Sequence, residues 1–202
     1  MKKVIFILLI ISSILVIFTL SLYAAEATKY DFRKTNWGMS KEQVKATEDA
    51  KLDIEDDSKP GCFILAYSNI KIDGRDSICV YYFLEDKLYQ SAYGFLRKHS
   101  NDNFYIDDYE NLKGILTKKY GKPVLDNVTW RNDLFKDDKQ SWGLAVSIGH
   151  LEYFSSWETS TTYIMLGLDG DNYKIDLTLG YSSRELEEWV KKIKEEQEKS
   201  QL

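Results

Sequence analysis

The chain has 202 residues with 27 Lys and Arg against 32 Asp and Glu, a formal net charge of −5, so it has no basic face to offer a nucleic acid. Two prolines, 11 glycines, 44% hydrophobic and 14% aromatic residues exclude a long disordered tract and suffice for one substantial core. Two histidines and two cysteines leave little material for conventional acid–base or thiol chemistry.

Lys2 and Lys3 precede an apolar run from Val4 to Leu22, broken only by Ser12, Ser13, Thr19 and Ser21, and then comes Ala24-Ala25-Glu26-Ala27. A positive start, an apolar core and a small-x-small end are the parts of a secretory signal peptide. Residues 1–27 are therefore read as a signal peptide or N-terminal membrane anchor, and 28–202 as a single α+β exported domain. The run exceeds the ~7–15 residues usual for a signal core and approaches the ~20 that span a bilayer. Cleavage after Ala27, with the small residues Ala25 and Ala27 at the two recognition positions, would release a periplasmic or secreted domain and is the favoured outcome. Retention would leave one transmembrane helix, with the same orientation because Lys2 and Lys3 stay inside. No Cys closes the run, which excludes a bacterial lipid anchor.

Trp37-Gly38-Met39-Ser40 leads into a helix expected to reach Ala50. Ser40 and Gln43 fit a capping box, and Met39 and Val44 fit a hydrophobic staple. Asp53, Glu55, Asp56 and Asp57, ending at Pro60-Gly61, read as an acidic, solvated loop. The period then changes to two, giving strands over Cys62–Ile70, Ser77–Leu84 and Leu88–Leu96, the last two joined at Glu85-Asp86-Lys87. Asp107 and Glu110 fit a second cap, for a helix carrying Tyr109, Leu112, Ile115, Leu116 and Tyr120 and stopped by Gly121 and Pro123. A short strand over Val128–Arg131 precedes a polar stretch, Asn132 to Gln140, with room for one helical turn. Strands follow over Ala145–Phe154, Thr161–Leu168 and Tyr173–Tyr181, the last with Ile175, Leu177, Leu179 and Tyr181 on one buried face. Ser182 and Glu185 then cap a final amphipathic helix bearing Leu186, Trp189, Val190 and Ile193. The order predicts an α+β fold of two tandem helix-plus-antiparallel-meander units, about 30–100 and 101–195, with helices on one side of the sheet.

Cys62 and Cys79 are the one candidate disulfide in an oxidising compartment. Their bridge would close a loop of about 17 residues, a stabilisation of roughly 3 kcal/mol. A tight hairpin at Asp73-Gly74-Arg75-Asp76 would keep them apart, whereas a broad loop from Ser68 to Asp76 would bring them opposite.

The piece Gly38-Met39-Ser40-Lys41-Glu42-Gln43-Val44 resembles the helix start of the SmpA/OmlA (BamE-like) envelope lipoproteins. Lys119-Tyr120-Gly121-Lys122-Pro123 closes the second helix in their style. The tandem plan is also similar to the β-lactamase inhibitory proteins, secreted binders that present a sheet face. A third likeness joins Trp37 to Ser40, Lys119 to Pro123 and Ser156 to Thr159, as in a group of exported bacterial proteins without an assigned activity. These resemblances imply export and architecture, and no functional residue is carried over from them.

Chemical motifs are sparse. His99, in Arg97-Lys98-His99-Ser100, reads as solvent-exposed, and His150 as a satisfied, partly buried residue on the strand face of Val146 and Ile148. No zinc helix, nucleophile elbow or phosphate loop is present. Asp169-Gly170-Asp171-Asn172 opens like a calcium loop but lacks the distal Glu, so it reads as a hairpin turn. The acidic clusters Asp53–Asp57 and Asp102–Glu110 read as solvated. No catalytic, cofactor or metal residues are assigned and no cofactor is implied. The expectation is a non-catalytic binding or assembly module of the cell envelope, using aromatic residues on a sheet face to hold another envelope protein. An envelope-acting hydrolase and a membrane-anchored ligand sensor are the alternatives.

Overall fold

The computed structural model describes residues 30–59 and 61–199. The signal or anchor expected over residues 1–27 lies outside them. The chain divides into Met1–Tyr30 and Asp31–Leu202, and the fold is that of the second unit. No helix among the described residues is long and apolar enough to cross a membrane.

The architecture is α+β, built on one eight-stranded sheet in the order β1-β2-β3-β4-β8-β7-β6-β5. Helix α1 (Lys41–Thr47) precedes β1 (Lys51–Lys59), β2 (Cys62–Ile72), β3 (Arg75–Leu84) and β4 (Lys87–Phe95). Helix α2 (Asn103–Tyr120) then leads to β5 (Leu125–Trp130), two 3₁₀ turns (Asp133–Phe135 and Lys139–Ser141) and α3 (Trp142–Ser147). Strands β6 (Leu151–Glu158), β7 (Thr162–Asp171) and β8 (Lys174–Ser183) and helix α4 (Glu187–Lys199) follow. Every neighbouring pair is antiparallel, and β4 meets β8 from Gln90↔Ser182 to Gly94↔Thr178.

The Trp37–Ser40 entry has a physical cause at each residue. The Trp37 indole donates to Thr162 Oγ1 at 2.9 Å. Gly38 takes φ +84°, open to a residue without Cβ, and donates to Leu88 O, while Leu88 N–H returns to Met39 O. The reciprocal cap between Ser40 and Gln43 is formed, and Val44 is fully buried. The helix ends at Thr47, sooner than Ala50, because the next residue, Glu48, turns inward. Its carboxylate is 1% exposed and accepts two bonds from Arg33, at 2.6 and 3.0 Å, and one from Tyr81 OH. Beside this pair Phe32 packs on Tyr81, Tyr93 and Tyr181, with centroids 4.9–5.6 Å apart. Residues 31–37 thus seal the interior face of the sheet.

Several expected boundaries move. The acidic stretch Asp53–Asp57 is not a loop but part of β1, an edge strand. Its charges and its register shifts after Leu52 and Asp56 are what protects an edge from adding a stray strand. Asp53 pairs with Lys51 and Glu55 with Lys45. The strand expected over Ala145–Phe154 is divided: Ala145 and Val146 lie in α3, wholly buried, and β6 begins at Leu151. Helix α2 starts ahead of the Asp107 cap, at Asn103, whose Oδ1 accepts from Gly143 N–H at 2.6 Å and whose Nδ2 donates to Gln140 O. A Cβ on Gly143 would lie 2.3 Å from the Asn103 nitrogen, so this close helix approach requires glycine. The cap before α4 is Ser183, which accepts from Leu186 N–H, rather than Ser182.

Cys62 and Cys79 are free thiols. The turn between β2 and β3 is the tight one, with Asp73 and Gly74 both at positive φ, so Cys62 stands opposite Leu84 and Cys79 opposite Tyr67. The candidate bridge, left open between the two turn geometries, therefore does not form in this register. Five residues along a strand is roughly 17 Å, far beyond disulfide reach. Burial pushes the Cys79 thiol up to about 12. In native protein, iodoacetamide should label Cys62 and spare Cys79, and both should react without reductant once the chain is unfolded. Replacing Glu48 by Ala strands the Arg33 guanidinium and the Tyr81 hydroxyl, and should lower unfolding stability in urea by about 3 kcal/mol.

Candidate functional site

The sheet parts at one end of its central join. Beyond Gly94↔Thr178, β4 stays with β3 to Ser77↔Phe95, and β8 stays with β7 to Asp171↔Lys174. Continuing the β4–β8 register would set Leu96 against Asp176, Arg97 against Ile175 and Lys98 against Lys174. None of these pairs forms. The same residues line a cleft of about 440 Å³ together with Phe95, His99, Asp102, Tyr105 and Tyr173.

Two forces hold the strands apart. Closing the ladder would bring Lys98 and Lys174 to cross-strand contact, where like charges are destabilising. The chain leaving β4 is also fastened elsewhere, to Asp108 on α2. His99 Nε2 lies 2.7 Å from Asp108 Oδ2, and Arg75 Nε donates to Asp108 Oδ1 at 2.8 Å. Arg75 also reaches Asp73. Tyr105 meets the His99 ring edge-on at 4.7 Å, and its hydroxyl accepts from the backbone N–H of His99.

His99 is thus half-buried and paired, against the exposed position expected from its polar neighbours. Because a carboxylate faces Nε2, the network assigns the proton to that nitrogen and leaves Nδ1 without a partner among the described residues. Burial works to raise the Asp108 carboxyl. The hydrogen bonds from His99 and Arg75 outweigh it and hold the group below the ordinary carboxylate value. Nothing in the sequence announces this cluster, since its members come from the start of β3, the exit of β4 and the second turn of α2.

Arg97, Lys98 and Lys174 form no ion pair among the described residues, while Asp102 and Asp176 supply the negative charge of the lining. The cleft is locally basic on a chain of net charge −5. Its lining contains no Ser, Thr or Cys. Such an arrangement can hold an anion between cationic banks on an aromatic and aliphatic floor.

The other candidates fall out differently. His150 is not on a strand but in the turn between α3 and β6. It stacks on Phe135, and its buried Nδ1 has no hydrogen-bond partner, so it is not the satisfied histidine expected. Asp169 and Asp171 belong to β7, and the turn falls two residues later, at Asn172 and Tyr173, both at positive φ. Asp169 faces Asp176 across the ladder, and with Glu152 they border a second cleft of about 410 Å³. Burial raises the Asp169 carboxyl, with Asp176 and Glu152 adding to the effect. No group of three or more His, Cys, Asp or Glu among the described residues is placed to hold a metal ion.

Compared with models of protein families, with curated protein sequences and with solved structures, the chain matches none.

The depressed Asp108 carboxyl gives a pH prediction. Its contribution is present above the unfolded carboxylate value, about 3.9, and is lost as pH falls through the lower folded value. Asp108→Asn should be roughly 1–3 kcal/mol less stable than wild type near neutrality. The gap should narrow below about pH 4. Urea unfolding at stepped pH measures both.

Proposed function

We propose that the protein is an exported, non-catalytic binding or assembly module of the cell envelope, and that the cleft between β4 and β8 is where it takes an anionic group of its partner. The single observation that carries this is the cleft itself, with Arg97, Lys98 and Lys174 along its two banks and in no ion pair among the described residues, though the Arg97 charge also acts on Asp76. The short helix-start resemblances and the signal-like first 27 residues support the envelope address. The finer plan belongs to the same proposal. The order β1-β2-β3-β4-β8-β7-β6-β5 is what two tandem helix-plus-meander units produce when joined through their last strands.

The aromatic surplus supports a narrower surface than a broad aromatic face. Tyr67, Tyr81, Tyr93, Tyr109, Tyr153 and Tyr181 are buried, and Trp37, Trp130 and Trp142 are half-buried against the core. Tyr105 and Tyr173 are the tyrosines that line the cleft, the latter 78% exposed. A second reading, hydrolysis, rests on the His99–Asp108 dyad with its free Nδ1, which would act as general base on a water in the same cleft.

In-cell photo-crosslinking from the envelope, with a C-terminal tag, separates the two readings. The binding reading expects one reproducible partner, retained by His99→Gln and reduced ~tenfold or more by Arg97→Glu combined with Lys174→Glu. Capture that ignores the charge reversal would overturn the cleft as the binding site. A phenotype lost with His99→Gln while capture persists would favour the hydrolytic reading.

A further inference from the structure

We infer that the cleft accepts an extended, carboxylate-bearing peptide segment, which adds as a strand in the gap between β4 and β8. This rests on the proposal that the cleft is an anion-binding site, and it names the occupant.

The backbone provides the first argument. Peptide groups of an antiparallel strand alternate from side to side. Leu96 N–H turns to Asp76 O on β3, at 2.9 Å, so the peptide groups of Phe95 turn the other way, toward β8. Across the Gly94↔Thr178 pair, the matching positions on β8 are Leu177 and Ile175. Ile175 is held on its far side by β7 and has no strand beside it on the β4 side. The gap is therefore a stretch of open strand edge inside a sheet. Open edges gain main-chain hydrogen bonds when a peptide adds to them. The outer edge at β1 is defended by mixed charge and by bulges; the interior gap has no register shift, and its charge, mainly cationic, deters a cationic strand more than an anionic one.

The charges provide the second argument. A compact anion such as phosphate is best held by donors converging on one point. Here Arg97 and Lys98 stand on one bank, just past the end of β4, and Lys174 on the other, at the start of β8, so the three charges are spread along the gap. That spread suits carboxylates spaced along an extended chain, where alternate side chains share a face. Asp102 and Asp176 repel negative charge at their own positions, so they select for carboxylates that are separated rather than continuous. Phe95, Tyr105 and Ile175 offer apolar contact to the intervening side chains.

The test uses the full exported chain and a capped eight-residue peptide of alternating Glu and Val. Its controls are the Lys-for-Glu peptide, the Glu peptide N-methylated at alternate residues, and succinate and inorganic phosphate as small anions. Calorimetry gives affinities, and hydrogen exchange follows the Ile175 amide. The Glu peptide is expected to bind, to slow exchange at Ile175 ~tenfold or more, and to lose affinity on N-methylation and with Lys174→Gln. A Lys peptide or an N-methylated peptide that binds as well overturns strand addition, and because these changes are in the ligand, the result does not depend on how a variant folds. Succinate or phosphate binding through Arg97 and Lys174, without binding of the Glu peptide, overturns the peptide and leaves the anion cleft standing. No binding by any of these probes overturns both.

Discussion

The ladder between β4 and β8 is the constraint on which the rest of the molecule depends. It joins strands from opposite halves of the chain into one continuous sheet, and it is short, running only from Gln90↔Ser182 to Gly94↔Thr178. Its interior face carries Tyr93 and Tyr181, which hold Phe32 between them and so fix residues 31–37 over the core. Where the ladder stops, the cleft begins. The same few residues thus decide both the closure of the hydrophobic interior and the position of a basic recess in an acidic protein.

Buried polar groups give this interior its specificity. Glu48, Arg33 and Tyr81 form a connected set beneath the N-terminal segment, and Asp108, Arg75 and His99 form another at the cleft. Each set ties three separate elements together, and removal of any member leaves a buried partner unsatisfied. The tyrosine layer works in the same way. Its rings supply aromatic contacts, each about 0.5–1.5 kcal/mol beyond area burial. The Tyr67 and Tyr153 hydroxyls are buried without partners.

What the sequence made legible was local chemistry. The cap at Ser40, the stop at Gly121, the turn at Glu85-Asp86 and the period-two strands β2, β3, β4, β7 and β8 all follow from interactions within a few residues, and they stand within a few residues of where spacing placed them. The alternation of Ile175, Leu177, Leu179 and Tyr181 named the buried face of β8 correctly. Failures came where partners distant in sequence decide the outcome. β1 is acidic enough to read as a loop, and only its pairing with β2 makes it a strand. Ala145 and Val146 are apolar in either period, and it is the approach of Gly143 to Asn103 that selects helix. The site lay outside reach for the same reason: no spacing relates Arg75, His99 and Asp108 until the sheet and α2 bring them together.

The β4–β8 join also sets the order of folding. β4 must wait for a strand some eighty residues further along the chain, and Trp37 finds Thr162 across a separation of 125 residues. Contacts so distant in sequence slow folding, because loop-closure entropy is spent before they form. Until β8 arrives, the first half of the sheet presents β4 as a bare edge and leaves Phe32 without Tyr181. A chain emerging N-terminus first is then exposed to wrong pairing for as long as its last strand is undelivered. For this topology, complete release of the C-terminal residues is the event that permits the native sheet to close.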